Sequence, residues 1–237
     1  AYIHETLSAQ LDVNLKEIGV SGYTIENVSQ VQDKEGEWRP IDSDKDPTVI
    51  LLHYPSILED TINYIPPRVK IEISCLSMDE PTELRQIHSL IGESFDGEDT
   101  DADSLVRTVV PIRTFLEKLF LLAEEFQKEK PRSVRMSRHL YDLEKLMDTE
   151  YGIEALSNRK LYDAIVEHRK AYYALKYVNY DLHDPSTINF TIPESVIGAW
   201  QDDYADMRRF FIYGESLEFD ALMNRMEELQ KRVKNII

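Results

Sequence analysis

The sequence predicts an α+β fold, a small sheet followed by a C-terminal helical bundle, and three observations carry that prediction. Runs of β type, bounded by turn residues, lie in the first half. From about Pro111 onward every long segment has helical character. The charge balance changes at the same place, from 22 acids against 8 bases over residues 1–110 to 22 against 19 over residues 111–237. With 237 residues, 42 % of them apolar, and only 8 Gly and 10 Pro, the chain can bury a core and lacks the composition of disordered or fibrous proteins.

Taken in order, Glu5 to Ile18 reads as a helix, with Leu7, Leu11 and Leu15 at helical spacing and Gly19 and Gly22 ending it. Tyr23 to Val31, Thr48 to Tyr54 and Val69 to Ser74 read as strands, the second following the turn-rich IDSDKDP and the third following Pro66-Pro67, which blocks a helix. GESFDGEDTDADS at 92–104 reads as an acidic loop. After Pro111, Leu116, Leu119, Phe120 and Ala123 form one helical stripe, and Pro131 separates that helix from one starting near Ser133. A third runs from Asn158 to Tyr177. Pro193 suits the first turn of a fourth, with Val196, Trp200, Tyr204, Met207 and Phe211 as its core stripe. Ser216 suits the N-cap of the last, in which Leu222, Met226, Leu229, Val233 and Ile236 recur at three and four residues. Residues 1–110 are thus expected to form a mixed α/β part and residues 111–237 a helical domain.

Composition excludes several functions. A net charge of −17, concentrated in the first half, argues against nonspecific duplex binding there, because neutralising phosphates takes clustered Lys and Arg. Any polyanion would meet the second half. The single cysteine, Cys75, leaves no intrachain disulfide and no thiolate zinc cage, which fits a reducing compartment. Its place after an apolar strand suits a small buried hydrophobe better than a nucleophile. No apolar run approaches the roughly 18 residues of a membrane span, and AYIHETLSAQ carries no signal pattern, so a cytoplasmic protein without membrane partners is expected.

GxGxxG, GxxxxGK[ST], HExxH and GxSxG are all absent, which leaves dinucleotide, P-loop, zincin and hydrolase-elbow chemistry without support. Asp99, Asp101 and Asp103 imitate the start of an EF-hand loop, but Ser104 replaces the required Gly and Val110 the required Glu. Two places remain. In VKIEIS, alternation sends Val69, Ile71 and Ile73 to one face and Lys70, Glu72 and Ser74 to the other, so Glu72 is a carboxylate held on a strand. An exposed sheet face carries Lys and Glu routinely, and that reading stays open. In SVRMSRHLYDLEKLMD, Met136, Leu140, Leu143 and Met147 share one helix face, and Arg135, Arg138, Asp142 and Lys145 lie opposite. Arg138 and Asp142, four apart, could be a plain surface pair. Against that, Lys128, Lys130, Arg132, Arg135 and Arg138 form the densest basic stretch of an acidic chain, and such a stretch suits phosphate oxygens.

RTFLEKLFLLAEEF (113–126), PRSVRMSRHLYDLEKLM (131–147) and WQDDYADMRRFFIYGESLEFDALMNRM (200–226), with VKIEIS ahead of them, resemble the AbiEii/AbiGii toxin family of bacterial nucleotidyltransferases. RHLYDL and EKL are the most specific parts. The resemblance implies a nucleotidyltransferase-like small sheet followed by helices, and a role in toxin–antitoxin and abortive-infection (phage-defence) systems, with NTP as donor, tRNA as one acceptor class and a winged-helix antitoxin as partner. It implies that Glu72 matches the carboxylate of the second family motif and is metal-proximal, Lys118 the lysine of the third, and Arg138 with Asp142 the fourth. Lys118, Arg138 and Arg135 would then bind nucleotide, and Glu72 and Asp142 would be catalytic. The first family motif, a Gly-Ser turn followed by an Asp-x-Asp, has no counterpart. The chain has no Gly-Ser dipeptide, and its Asp-x-Asp strings at 42–46 and 99–103 follow no such turn. In the family the acids of that first motif carry the Mg2+ ions that bind the triphosphate, so the expectation is an inactive chain that does not bind Mg2+ tightly, either an N-terminally truncated piece of an enzyme, which is the favoured reading, or a natural remnant that lost the activity. The alternative is a noncatalytic helical module that binds an antitoxin.

Overall fold

A computed structural model describes residues 2–32, 37–41, 46–56, 66–73, 82–95 and 103–236. Cys75 and the acids at 42–44 and 99–101 lie outside them. The fold is α+β. The chain forms two compact units, Ala1–Ser77 with Arg209–Tyr213, and Met78–Arg208 with Gly214–Ile237; the change in composition lies later, at 110/111.

In the first unit, helix α1 (Tyr2–Glu17) packs on an antiparallel sheet of order β1-β4-β5, made of β1 (Thr24–Asn27), β4 (Thr48–His53) and β5 (Arg68–Ile73). β4 is its centre: Val49, Ile50 and Leu51 are all buried. Because successive strand residues face opposite ways, three in a row mean that both faces of β4 are covered. Tyr23 ties the helix to the strand entry, its hydroxyl donating to Asp12 Oδ1 at 2.9 Å. The run expected as one strand from Tyr23 to Val31 is two: β2 (Gln30–Gln32) leaves β1 and pairs with β3 (Trp38–Pro40).

The second unit opens with a hairpin not anticipated from the sequence, β6 (Thr82–His88) with β7 (Asp103–Val109), between which lies the short helix α2 (Leu90–Ser94). The acidic stretch 92–104 is therefore partly structured at both ends. Leu84, Leu105 and Val106 are exposed, so neither face carries the half-buried alternation that marks a strand in sequence.

The rest is helical: α3 (Pro111–Glu125), α4 (Ser137–Leu146), α5 (Glu150–Ser157), α6 (Arg159–His168), α7 (Ile197–Phe210) and α8 (Phe219–Val233). α3 is the hub, packing on α4, α5 and α6. Beyond the expected stripe it also buries Phe115, Leu122, Arg113, Glu124 and Glu125. The apolar face expected of α4 holds, with Met136, Leu140, Leu143 and Met147 all buried, as does the stripe of α8. α5 docks through Gly152, where a Cβ would stand 2.2 Å from the Leu146 carbonyl oxygen and 2.8 Å from Met147 Cα. Several boundaries differ from expectation, among them the start of α7, at Ile197 rather than at Pro193. α4 starts at Ser137 rather than Ser133, the helix expected to run to Tyr177 ends at His168, and Glu218 rather than Ser216 precedes the last helix. Ser216 instead accepts from Arg208 Nε at 3.1 Å.

Candidate functional site

The start of α4 is set by a residue far away in sequence. After Pro131 the chain turns through Arg135, whose φ of 58° is left-handed, a conformation that costs an L-residue free energy. Asp203 of α7 holds this turn. Its carboxylate accepts from Arg135 N at 2.5 Å, Ser137 N at 3.0 Å and Ser137 Oγ at 2.5 Å. Three donors that an unpartnered helix start would leave open are thereby satisfied, and the azimuth of everything downstream on α4 is fixed.

That azimuth brings Lys118 and Asp142 together. Lys118 of α3 pairs with Asp142 of α4 at 2.7 Å, both half-buried. The sequence suggested Arg138 as the partner of Asp142; the closer approach of α3 gives that place to Lys118. Arg138 is exposed and forms no ion pair among the described residues. Between them sits His139, missed by the sequence reading, only 8 % exposed and with a buried Nδ1 that has no hydrogen-bond partner among the described residues. Burial and the charges of Lys118 and Arg138 push its imidazole down to about 4, against an opposing pull from Asp142. At neutral pH the cluster is therefore two cations, one carboxylate and a neutral imidazole, a composition that attracts an anion.

The wider basic stretch is less available than its sequence suggests. Buried Glu125 accepts from Lys128 at 2.7 Å, and from Arg132 N at 2.7 Å and Nη2 at 2.8 Å. Burial raises the Glu125 carboxyl, and the Arg132 and Lys128 hydrogen bonds outweigh that and hold it low. Lys128 and Arg132 are therefore engaged by Glu125, Arg132 while remaining exposed, and Arg138 and Lys130 are the exposed cations of the run that form no ion pair among the described residues.

Glu72 belongs to the first unit, on β5 opposite Val49. The expected alternation is present, with Ile71 and Ile73 half-buried, Lys70 and Glu72 exposed, and Val69 exposed as well. Glu72 pairs with Lys70 at 2.7 Å along its own face. No group of three His, Cys, Asp or Glu side chains among the described residues could hold a metal ion. A lone exposed carboxylate already held by a lysine does not fit a magnesium site.

A second polar cluster lies on the other flank of α3. Arg169 is buried, donating to Glu124 at 2.7 and 2.5 Å and also to Glu117, which pairs with Arg113 at 2.9 Å. Buried His183 stands 3.4 Å from Glu124 and stacks on Phe120. Burial alone would raise Glu124; Arg169 and His183 hold it low. Such a network costs desolvation that only close pairing offsets.

No helix among the described residues is long and apolar enough to cross a membrane. No curated protein matches the chain. Residues 2–225 match the family described as nucleotidyl transferase AbiEii toxin, type IV TA system. That match spans both units, including the α3–α4 cluster and the α7 carboxylate that anchors it, and the chain belongs to this family of nucleotidyl transferase toxins.

Proposed function

We propose that Lys118, Arg138 and Asp142 are the nucleotide-handling part of an NTP-dependent nucleotidyltransferase toxin. The observation that supports this is the Lys118–Asp142 pair, 2.7 Å apart, beside an exposed Arg138 and a neutral, buried His139. In nucleotidyl transfer an acceptor oxygen attacks the α-phosphorus and pyrophosphate leaves, so cations near the outer phosphates stabilise charge that grows in the transition state. Arg138 would contact the triphosphate, Asp142 would keep Lys118 aimed, and Arg135 would stand at the rim. Glu72 takes the role of acid or base by resemblance alone.

The acceptor proposed is a polynucleotide hydroxyl such as that of tRNA. A toxin of this family implies an antitoxin, for which a winged-helix protein is proposed. Magnesium, expected of the family, finds only a lone, lysine-held carboxylate among the described residues. With no Gly-Ser turn and paired Asp-x-Asp in the sequence, these 237 residues are proposed not to transfer nucleotides by themselves and to bind NTP weakly.

Calorimetric titration with each NTP, with and without Mg2+, tests this at low salt, where exposed cations are least screened. The expected result is weak, salt-sensitive binding that falls roughly 10- to 100-fold in Arg138→Ala and in Lys118→Ala, the worth of one charge-assisted contact, with unchanged melting of Arg138→Ala. Binding unaffected by either substitution would remove the site assignment. Tight Mg2+-dependent binding would show that other acids of the chain do the metal work.

A further inference from the structure

The segment after α6 is built in an uncommon way. Residues 169–173 form one turn of π-helix, closed by Ala174 at φ 43°, ψ 44°, whose N–H reaches back to the Arg169 carbonyl at 3.0 Å. A π-turn and a left-handed alanine both cost free energy, and such outliers cluster at functional sites. Here the buried network holds them, because Arg169, the first residue of the turn, is clamped by Glu124 and Glu117.

What the turn displays is aromatic and basic. Tyr172 is 66 % exposed and stacks on His168 with centroids 4.7 Å apart at 29°. Tyr173 lies over the Arg169 guanidinium at 4.7 Å. Lys170 and Lys176 are exposed and form no ion pair among the described residues. Residues 168–180, HRKAYYALKYVNY, contain none of the 44 acids of the chain and four of its 13 tyrosines. In a chain of net charge −17 this is a local inversion of character. Rings backed by a cation or an imidazole, flanked by free ammonium groups, match bases that stack and phosphates that pair.

We propose that the Arg169–Tyr173 turn, with Lys170, Tyr172 and Lys176, is a docking surface for single-stranded polynucleotide, one base stacking on the outer face of Tyr172. Its relevance to transfer rests on the reading given under Proposed function. Glu117 pairs with Arg169 and its neighbour Lys118 pairs with Asp142, so the surface and the nucleotide cluster flank the same turn of α3.

Fluorescence anisotropy of the full chain with a labelled, mixed-sequence single-stranded oligoribonucleotide, and with its duplex, tests the docking directly. The single strand is expected to bind more tightly than the duplex. Tyr172→Ala should lose roughly 10-fold, within the worth of one stacked base, and Tyr172→Phe should lose little, because the ring and not the hydroxyl stacks. Tyr172→Leu keeps an apolar contact with His168 and should fail like alanine, which separates stacking from any loss of fold. Lys170→Ala with Lys176→Ala should flatten the dependence of log affinity on log salt by about 1.4, at about 0.7 per phosphate contact. Absence of oligonucleotide binding at low salt, equal binding of duplex, or an unchanged Tyr172→Ala would each overturn the inference. NTP calorimetry on the same preparations keeps the two readings apart. In the parent chain, oligonucleotide binding absent while NTP binding is present refutes only the docking surface, and NTP binding absent while oligonucleotide binding is present refutes only the nucleotide cluster; in Tyr172→Ala, NTP binding is expected to stay unchanged.

Discussion

Replacing Asp203 by alanine tests the central piece of the α4 architecture. The substitution removes the acceptor of three hydrogen bonds, two of them short, leaving the Arg135 and Ser137 amides and the fully buried Ser137 hydroxyl without it. Hydrogen bonds to a charged group are worth about 1.5–3 kcal/mol each, and three on one carboxylate are not additive. Removing the carboxylate also ends its own desolvation cost, while the left-handed turn at Arg135 loses what held it. A net loss of about 3 kcal/mol follows, which for a chain of this size lowers Tm by roughly 6–12 °C. Asp203→Asn keeps acceptor capacity at one oxygen and should lose about half as much. The neighbouring Asp202 is exposed, so Asp202→Ala is the control and should melt like the parent. Differential scanning calorimetry on the four proteins decides the matter. An Asp203→Ala Tm within about 2 °C of the parent would mean that the turn is held by other contacts.

Three further outcomes are expected. His139→Gln should make the protein less sensitive to acid: an imidazole held at about 4 in the fold and at about 6.5 when unfolded contributes full stability above 6.5 and loses it as pH falls toward 4, by about 3 kcal/mol at most. Urea melts of both proteins at pH 7.5 and 4.5 isolate this difference, since the low-held Glu124 and Glu125 carboxyls are common to both, and parallel pH profiles would refute it. Gly152→Ala should destabilise by on the order of 3 kcal/mol in a thermal melt despite the better helix propensity of alanine, because the added Cβ would stand 2.2 Å from a backbone oxygen; an unchanged or raised Tm would show that α5 shifts freely. Glu124→Gln should cost about 3–5 kcal/mol by leaving Arg169 short of buried charge, whereas Glu124→Leu with Arg169→Met should recover most of it; chemical denaturation of the double variant that is no more stable than the single would contradict the pairing.

Where a periodic apolar face is buried along a regular element, the sequence was legible. The stripes of α3, α4 and α8 and the alternation of β5 were readable in this way, because burial selects residue type at a spacing that the backbone geometry sets. The β6–β7 hairpin was not, since with Leu84, Leu105 and Val106 exposed its two faces carry no contrast. The end of α6 was not legible either. RKAYYALK continues a helical pattern, whereas Arg169 at the start of the π-turn is held by Glu124 and Glu117, more than 40 residues earlier in the chain.

The candidate site divides in the same way. Residue type and family resemblance singled out Lys118, Arg138 and Asp142, because phosphate chemistry calls for cations and a carboxylate wherever they stand in the chain. Which pairs with which was decided by the approach of α3 to α4, which joins Lys118 to Asp142 and leaves Arg138 exposed. His139 reads in sequence as one more residue between a charged face and a core face; its burial, and hence its neutrality, exists only once the two helices close around it. Asp203 stands 66 residues from Ser137, and no local pattern links the two. Short-range spacing is written in the chain, whereas long-range pairing, burial and the charge state that follows from them come into being with the tertiary contacts.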